Sequence, residues 1–436
     1  MKIATIAGIC TALLLTAAAE LSLAPFSSVR PVLEALHDQL PSGLSNPDDA
    51  RWNAWGRRQD TEIRARLEQG EVDSMINLLL FGTSFTKQPR IQFESLAEAS
   101  RSGLLRSRVE DLLRGLRSPG DNERLAFLRN LIRRQGLDPD ADDGTPGLFV
   151  YQNLQRVLQE NTKFAQAASA QGDPVFRDRG VSLDTSILPN FGIEEALRDL
   201  KGRGLLGERS VARAAVIGPG LDFTDKESGY DYYPQQTLQP FAVYDSLERL
   251  GIAKPSGVSI TVFDISSRVL DHLQRARELA QRGGGYAIQL PRNPRELWKP
   301  DALEYWRVFG DRVGKPVAPI RPPAALAGLE TRALAIRPAV VLSSNPVNLN
   351  IVLERTNLPA AQRFDLMVAT NVFVYYDRLE QALALQNVST LLKPGGILLS
   401  NDDLPEIPRV PMRRMGKTTV RYTDKFGDSV FWYRRE

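Results

Sequence analysis

The chain has 436 residues, enough for two or three domains, and its 42% hydrophobic and 25% charged residues are ordinary for a globular protein. The net charge of +3 is too small for this length to indicate nucleic acid or a membrane surface as a partner. A single cysteine excludes an internal disulfide framework, and two histidines leave little for metal chemistry, so no metal site is predicted.

Residues 1–24 have the pattern of a secretory signal peptide. Lys2 precedes an uncharged run, residues 3–19, which is rich in alanine, leucine, isoleucine and threonine and ends in small residues. A charged start, an apolar middle and a small-residue end are what a signal peptidase requires. The sequence therefore predicts an exported or periplasmic protein. The alternative is an uncleaved membrane anchor, for which the run is of marginal length.

Residues 25–205 are predicted to form a mainly helical domain. Leucine and valine recur at helical spacing in residues 104–116, with arginine and glutamate on the other face. Arginine outnumbers the acidic residues between residues 101 and 134. Such an excess is typical of the solvated face of amphipathic helices, and a basic surface for an acidic partner is the alternative.

Residues 206–436 have the pattern of a parallel sheet covered by helices. Apolar runs of strand character at residues 214–217 and 259–264, in the first part of residues 364–377 and after the Pro-Gly-Gly turn of residues 394–396 are separated by helical segments. Ligands bind such sheets outside the carboxyl ends of the strands. Gly218 and Gly220 follow the first run, and Asp264 ends the second, where a carboxylate can accept hydrogen bonds from the hydroxyls of a ribose.

The sequence around these glycines does not match the fingerprint of a dinucleotide-binding site. That pattern needs a third glycine where Phe223 stands, and an acidic residue about 20 residues further on. The distance from the glycines to Asp264 is roughly twice that. An oxidoreductase that binds NAD therefore stays only an alternative.

The combination resembles class I S-adenosylmethionine-dependent methyltransferases, over roughly residues 211–436. Within that superfamily, residues 364–377 and the Leu-Lys-Pro-Gly-Gly turn of residues 392–396 look most like the chemotaxis-receptor methyltransferases. The resemblance implies a Rossmann-like sheet that ends in an antiparallel hairpin, which fits the alternating strands around residues 416–434. It also implies S-adenosylmethionine as the cofactor. Because this compound is made inside cells, the implied cofactor conflicts with the predicted export.

The resemblance also implies cofactor contacts. Gly218 and Gly220 would line the methionine end, Asp264 would hold the ribose, and Asn357 matches a position near the adenine. Asp222 stands where the family has its third glycine and is kept among the candidate cofactor contacts. The family's acidic residue before the first glycine is replaced by Val216.

By the same resemblance, Asn371 follows the fourth strand and borders the transferred methyl group. Tyr375 is a weak candidate for a base, and no histidine is close in sequence. A carboxylate acceptor needs no base. The sequence therefore predicts an enzyme that positions an oxygen or carboxylate acceptor, whose identity is unknown.

Two segments of this domain have no assigned role. The aromatic stretch of residues 230–236 either closes over a ligand or caps the next helix. Residues 283–338 are an insertion before a short strand predicted at residues 339–342. We expect this insertion either to shape an acceptor pocket or to cover an edge of the sheet. The rival functions are a binding protein on a decayed methyltransferase fold and a membrane-tethered scaffold.

Overall fold

A computed structural model describes residues 21–92, 95–167, 180–224 and 229–436. The predicted signal segment lies outside these ranges except for residues 21–24. Within them no helix is long and apolar enough to cross a membrane. Export, anchoring and cleavage therefore stay predictions.

The first half of the described chain is helical, as predicted, apart from one short strand at its start. That strand is β1 (Leu21–Leu23), and seven helices follow: α1 (Phe26–Ala35), α2 (Asp49–Phe81), α3 (Leu96–Arg101), α4 (Leu104–Arg117), α5 (Glu123–Arg134), α6 (Thr145–Ala167) and α7 (Leu188–Gly202).

The second half contains a seven-stranded sheet and its covering helices. Its elements, in chain order, are β2 (Arg213–Ile217), α8 (Gln239–Arg249), β3 (Ser259–Asp264), α9 (Ser267–Gln281), β4 (Tyr286–Arg292), α10 (Pro300–Val308), β5 (Gly314–Val317), β6 (Glu330–Ile336), α11 (Pro338–Ser343), β7 (Ser344–Asn348), β8 (Glu354–Thr356), β9 (Phe364–Ala369), α12 (Arg378–Leu391), β10 (Leu392–Ser400), β11 (Met412–Arg421) and β12 (Gly427–Arg435).

The large sheet has the order β11-β12-β10-β9-β2-β3-β7. Strands β7, β3, β2, β9 and β10 are parallel, whereas β12 is antiparallel to β10 and to β11. Because the chain passes from β2 to β3 on one side and returns to β9 on the other, the order reverses between β2 and β9. The predicted Rossmann-like sheet with its terminal antiparallel hairpin is confirmed.

Both faces of this sheet are buried, which explains the continuous apolar runs in the sequence. Ala214 and Val216 of β2 face one core, which holds α7, α8 and α9. Ala215 and Ile217, the alternate residues, face a second core, which holds α1, α12 and the first half of α2. A third core lies between the second half of α2 and helices α3, α4, α5 and α6, and Phe223 from the loop after β2 packs into it.

The insertion at residues 283–338 forms a second, three-stranded antiparallel sheet of order β4-β6-β5, with α10 beside it. It is anchored by Trp306 and Phe309, which join the core on the α7 side, and by a bond from the backbone N–H of Lys299 to the carbonyl of Tyr422 at 2.7 Å. It thus packs beside the main sheet.

The strand predicted at residues 339–342 is wrong. Pro338 begins a helix there, a position that proline favours because its missing N–H has no helical partner. The strand comes later, as β7, and contains Pro346. Proline is tolerated in β7 because this strand is an edge of the sheet, and the same proline hid the strand in the sequence.

Strand β1 joins the start of the described chain to the fold. It is antiparallel to β8, with Leu21 opposite Thr356 and Leu23 opposite Glu354. The next residue, Ala24, is buried, and its carbonyl accepts the indole N–H of the fully buried Trp52 at 2.6 Å.

A chain that begins at Leu21 should therefore be more stable than one that begins at Phe26. We expect a difference of roughly 2–4 kcal/mol, because the shorter chain loses the β1 pairing and leaves the Trp52 indole without an acceptor. Urea unfolding, monitored by tryptophan fluorescence, measures this difference in the free energy of unfolding. Equal midpoints for the two chains would contradict the role given to β1.

Candidate functional site

Two adjoining cavities lie at the carboxyl ends of β2 and β9, where the strand order reverses. Both are lined by Gly218, Gly220 and Asn371, and by Ser182 and Leu183 from the segment before α7. They contain about 420 Å³ and 490 Å³ of empty space, counting the part open to solvent. Ligands of open α/β sheets bind at this reversal point, so the predicted glycines and Asn371 are brought to one site.

The two glycines have the left-handed backbone that a close turn requires, with φ of 61° at Gly218 and 73° at Gly220. A Cβ on Gly218 would lie 2.7 Å from a methyl group of Val372. A Cβ on Gly220 would lie 2.5 Å from the carbonyl oxygen of Leu183. Neither position therefore accepts a larger residue without movement.

Asp264 lies in the second cavity and is buried. Its Oδ1 accepts the backbone N–H of Ser266 at 2.8 Å, whereas Oδ2 has no hydrogen-bond partner. Burial raises the pKa of the Asp264 carboxyl to about 7, and backbone hydrogen bonds from Ser266 and Ile265 offset this only in part. A buried carboxylate oxygen without a donor is costly unless a ligand supplies one.

Helix α2 passes over this edge of the sheet. Arg64 donates to the carbonyl of Ile265 at 3.3 Å and to Oδ1 of Asn348 at 3.4 Å. Nearby, Asp60 accepts the side-chain amide of Asn350 at 2.8 Å. Leu67, one turn further along the helix, lines the second cavity. The helix therefore forms a wall of the cleft.

The segment before α7 covers the other side of the glycine turn. The carbonyl of Leu183 accepts the N–H of Leu221 at 2.8 Å, and the N–H of Val181 donates to the carbonyl of Arg66 in α2 at 2.9 Å. We call residues 181–186 the strap. The strap ties α2 to the glycine turn, and its Ser182 and Leu183 line both cavities.

Asn371 is held by a reciprocal pair of hydrogen bonds. Its backbone N–H donates to Oδ1 of Asn401 at 2.7 Å, and Nδ2 of Asn401 donates to its Oδ1 at 2.8 Å. Asn371 also has a left-handed backbone, with φ of 56°, which is uncommon for a non-glycine residue. Its position is thus fixed by the neighbouring strand end.

Tyr375 and Tyr376 both line the second cavity. Burial raises the pKa of Tyr376 far above its usual value, and the carboxylate of Glu380 raises it further. This phenol is therefore neutral at physiological pH and is not a base.

Asp222 and Asn357 do not line either cavity. Asp222 is buried, and its Oδ2 accepts the Tyr233 hydroxyl at 2.9 Å and the Gln236 amide at 3.2 Å. Asn357 is exposed, in a connection that contacts the amino end of β2 through the carbonyl of Gln362. The structure therefore does not bring these two residues to the site.

Asn348 also lines neither cavity. It ends β7 and lies beside Asp264 in the register of the sheet. The aromatic stretch of residues 230–236 also lies outside both cavities, as does the insertion at residues 283–338.

The strap and α2 are the parts of the site that sequence reasoning missed. Arg64 and Leu67 precede Asp264 by about two hundred residues, and nothing in the local pattern of α2 marks them. Leu67 shows only the helical spacing of an ordinary buried leucine.

Replacing Gly220 with alanine should destabilise the protein by roughly 1–3 kcal/mol, because alanine resists the left-handed backbone and its Cβ would push on the Leu183 carbonyl. Gly202→Ala is the matched control, since among the described residues no atom beyond its chain neighbours and its own helix backbone would lie within 4 Å of an added Cβ. The midpoints of urea unfolding measure the stability of both variants. An unaltered midpoint for Gly220→Ala would exclude the close contact between strap and turn.

No protein-family model matches the chain, and no curated protein matches it. Solved structures that it resembles include a TehB-like SAM-dependent methyltransferase from Corynebacterium glutamicum, at 9% identity over 64% of this chain and 97% of that one, with a TM-score of 0.29. Another is the magnesium protoporphyrin IX methyltransferase of Synechocystis with bound SAM, at 8% identity over 57% and 80%, with a TM-score of 0.27.

A third is the CurJ carbon methyltransferase, at 14% identity over 95% of this chain and 100% of that one, with a TM-score of 0.26. TM-scores this low carry no argument about the cofactor or acceptor of this chain. Its fold assignment rests on the strand order and on the strand ends that form the cleft.

Proposed function

We propose that this protein is an S-adenosylmethionine-dependent methyltransferase whose cofactor binds in the cleft between the glycine turn and Asp264. One observation carries the proposal. Asp264 is a buried carboxylate that ends a strand beside the reversal point of the sheet, and its Oδ2 has no donor. A ribose supplies two hydroxyl donors to a carboxylate at such a strand end.

The residues around Asp264 fit an adenosine. The left-handed Gly218 and Gly220 leave room for a ligand to approach the backbone. Leu67, Ile265 and Val372 supply apolar surface in the same cavity. The closer resemblance to the chemotaxis-receptor group rests on residues 364–377 and 392–396 alone.

A bound S-adenosylmethionine supplies an electrophilic methyl group. What this chain would contribute is position and exclusion of water, because methyl transfer depends on holding the reacting atoms in line. Asn371, fixed by Asn401, borders the region between the two cavities.

We propose an oxygen or carboxylate acceptor, the two classes considered from the sequence, because a carboxylate acceptor needs no base. The Tyr376 phenol, which lines the second cavity together with Asn371, is neutral at physiological pH and offers no base.

Calorimetric titration of the full-length protein with S-adenosylhomocysteine tests the function, with NADH as the rival ligand. The proposal predicts micromolar binding of S-adenosylhomocysteine and no binding of NADH. Binding of NADH alone would identify a dinucleotide site. Absence of both from folded protein would overturn the proposal.

The second candidate is a binding protein on a decayed methyltransferase fold. The observation that favours it is the position of α2 over the cleft, where Arg64 already donates hydrogen bonds to Asn348 and to the Ile265 carbonyl. Val216 and the predicted export point the same way. This candidate predicts no nucleoside binding in the same titration.

A further inference from the structure

Positive charge is concentrated at the edge of the large sheet that lies opposite the cleft. The cleft is at the carboxyl ends of β2 and β9, and the amino ends of these parallel strands form the opposite edge. The antiparallel hairpin adds two segments to this edge, since Met412 lies opposite Arg435 and Arg413 lies opposite Arg434. We call this region the basic edge, and its cationic residues are Arg213, Arg363, Lys393, Arg413, Arg434 and Arg435.

Hydrogen bonds join these residues into one surface. Arg213 begins β2, and its Nε donates to the carbonyl oxygen of Gln362 at 2.9 Å, next to Arg363. Arg435, at the end of β12, donates to the carbonyl oxygen of Leu392, the first residue of β10. The starts of β2, β9 and β10 and the end of β12 therefore meet at the basic edge.

Little negative charge offsets the basic edge. The strand ends that form it contain the acidic residues Asp365 and Glu436. Asp365 pairs with Lys393, at 2.6 Å between a carboxylate oxygen and Nζ. Within the part of the chain that the structure describes, none of the five arginines of the basic edge has an ion-pair partner. The small net charge of the whole chain thus conceals a local excess of positive charge.

The positive charges of the basic edge repel one another. Arg413 and Arg434 are exposed and lie directly opposite each other across β11 and β12, where like charges are destabilising. Burial lowers the pKa of Arg435, and the nearby positive charge of Arg363 lowers it further. An anionic partner would remove this repulsion.

The start of the described chain lies near the basic edge. Leu21 in β1 is opposite Thr356 in β8, and residues 357–363 lead from β8 to Arg363. The segment that precedes Leu21 contains the uncharged run at residues 3–19, which is of marginal length to span a bilayer. Stable attachment to a membrane through one weak apolar anchor requires a second signal, such as a patch of basic residues.

From these observations we infer that the basic edge binds the anionic headgroups of a phospholipid bilayer. Phosphate oxygens accept paired hydrogen bonds from guanidinium groups, and each arginine or lysine near an anionic bilayer adds to the attraction. A nucleic-acid strand would use the same charges, but the place where the apolar run joins the domain favours a membrane.

A bilayer at the amino ends of the strands leaves the cleft at their carboxyl ends open to water. The inference is therefore independent of what the cleft binds. Because no residue of the basic edge lines either cavity, the affinity for S-adenosylhomocysteine should not change when this edge is altered.

Sedimentation with lipid vesicles tests the inference. The full-length protein is mixed with vesicles of phosphatidylcholine alone or with vesicles that also contain phosphatidylglycerol, which is anionic. The chain that begins at Leu21, which keeps β1, is measured beside it. This second measurement is needed because the uncharged run at residues 3–19 would bind both kinds of vesicle and would mask the effect of charge.

The test variant is Arg413→Gln with Arg434→Gln, which should remain folded because the change removes a repulsion. The control variant is Arg106→Gln with Arg114→Gln, which removes the same charge from two exposed positions of α4. Thermal unfolding confirms that both variants are folded.

We expect the wild-type protein to bind the anionic vesicles more tightly than the neutral ones, and this preference should disappear at about 1 M salt. The test variant should bind the anionic vesicles roughly 30-fold more weakly, the effect of two charges near such a surface. The control variant should bind them as the wild-type protein does.

Equal binding of both kinds of vesicle by the chain that begins at Leu21 would overturn the inference. Equal losses in the test and control variants would also overturn it, since charge anywhere on the surface would then suffice. A single-stranded DNA oligonucleotide is the rival partner. If the protein binds this oligonucleotide and not the anionic vesicles, the basic edge is a surface for nucleic acid and the inference is wrong.

Discussion

Replacing Asp264 with asparagine is expected to weaken S-adenosylhomocysteine binding by roughly 10- to 100-fold, which is the worth of one hydrogen bond to a charged acceptor. Asparagine can still accept the N–H of Ser266 through its oxygen. It puts an NH₂ group where Oδ2 now lies, so one ribose hydroxyl loses its acceptor. Calorimetry measures the loss.

The same substitution should stabilise the ligand-free protein at pH 8. Burial raises the pKa of Asp264 to about 7 in the folded protein, against about 3.9 in an unfolded chain. Because the pKa of Asp264 is higher in the folded protein than in the unfolded chain, protonation of this carboxyl stabilises the fold. This stabilisation is fully present below the pKa of the unfolded chain and is lost as pH rises through 7. The loss is about 1.4 kcal/mol for each pH unit between the two values.

Asp264→Asn should therefore unfold at a higher urea concentration than the wild-type protein at pH 8, and the difference should shrink towards pH 4. Affinity of the wild-type protein for S-adenosylhomocysteine should fall as pH drops below 7, by up to about tenfold per unit, because the carboxyl becomes protonated. In the variant this dependence should disappear.

Asp245→Asn is the matched control. Asp245 is fully buried, and burial raises the pKa of its carboxyl to about 6, but it pairs with Arg249 outside the cleft. It should not change the affinity for S-adenosylhomocysteine. Equal losses of affinity in both variants would show that Asp264 acts through stability and not through the ligand.

The sequence predicts the strand ends well because a strand end is a local feature. Gly218, Asp264 and Asn371 each follow an apolar run, and parallel pairing brings such ends to one edge. The strand predicted at residues 339–342 was misplaced because Pro346 disguised β7, which begins five residues later.

The cover of the site could not be predicted in this way. Arg64 meets Asn348 across 284 residues, and Arg66 meets the Tyr375 carbonyl across 309. Helical periodicity tells which face of α2 is apolar, and it contains no information on which distant strand end that face will cover. The placement of α2 depends on its packing at both ends.

Arg108 holds the carboxyl end of α2, and its guanidinium replaces the water that a helix end normally binds. It is fully buried and donates to four backbone carbonyls, those of Leu79, Gly82, Gln88 and Pro89, at 2.6–2.9 Å. Burial lowers the pKa of Arg108 to about 10, so it remains charged at physiological pH. Its five donors in a rigid plane make this geometry specific to arginine.

Arg108→Met should destabilise the protein by roughly 3–5 kcal/mol, because methionine fills the space but leaves these buried carbonyls without donors. Arg106→Ala is the control on the same helix, since Arg106 is exposed and, among the residues that the structure describes, pairs with Glu110 one turn away. It should cost less than about 0.5 kcal/mol. The urea concentrations at the unfolding midpoints of the two variants measure this difference in stability.

Because α2 also covers the cleft, Arg108→Met should in addition weaken S-adenosylhomocysteine binding at urea concentrations below the unfolding transition. If stability falls while affinity is unchanged, α2 is not needed to form the cleft.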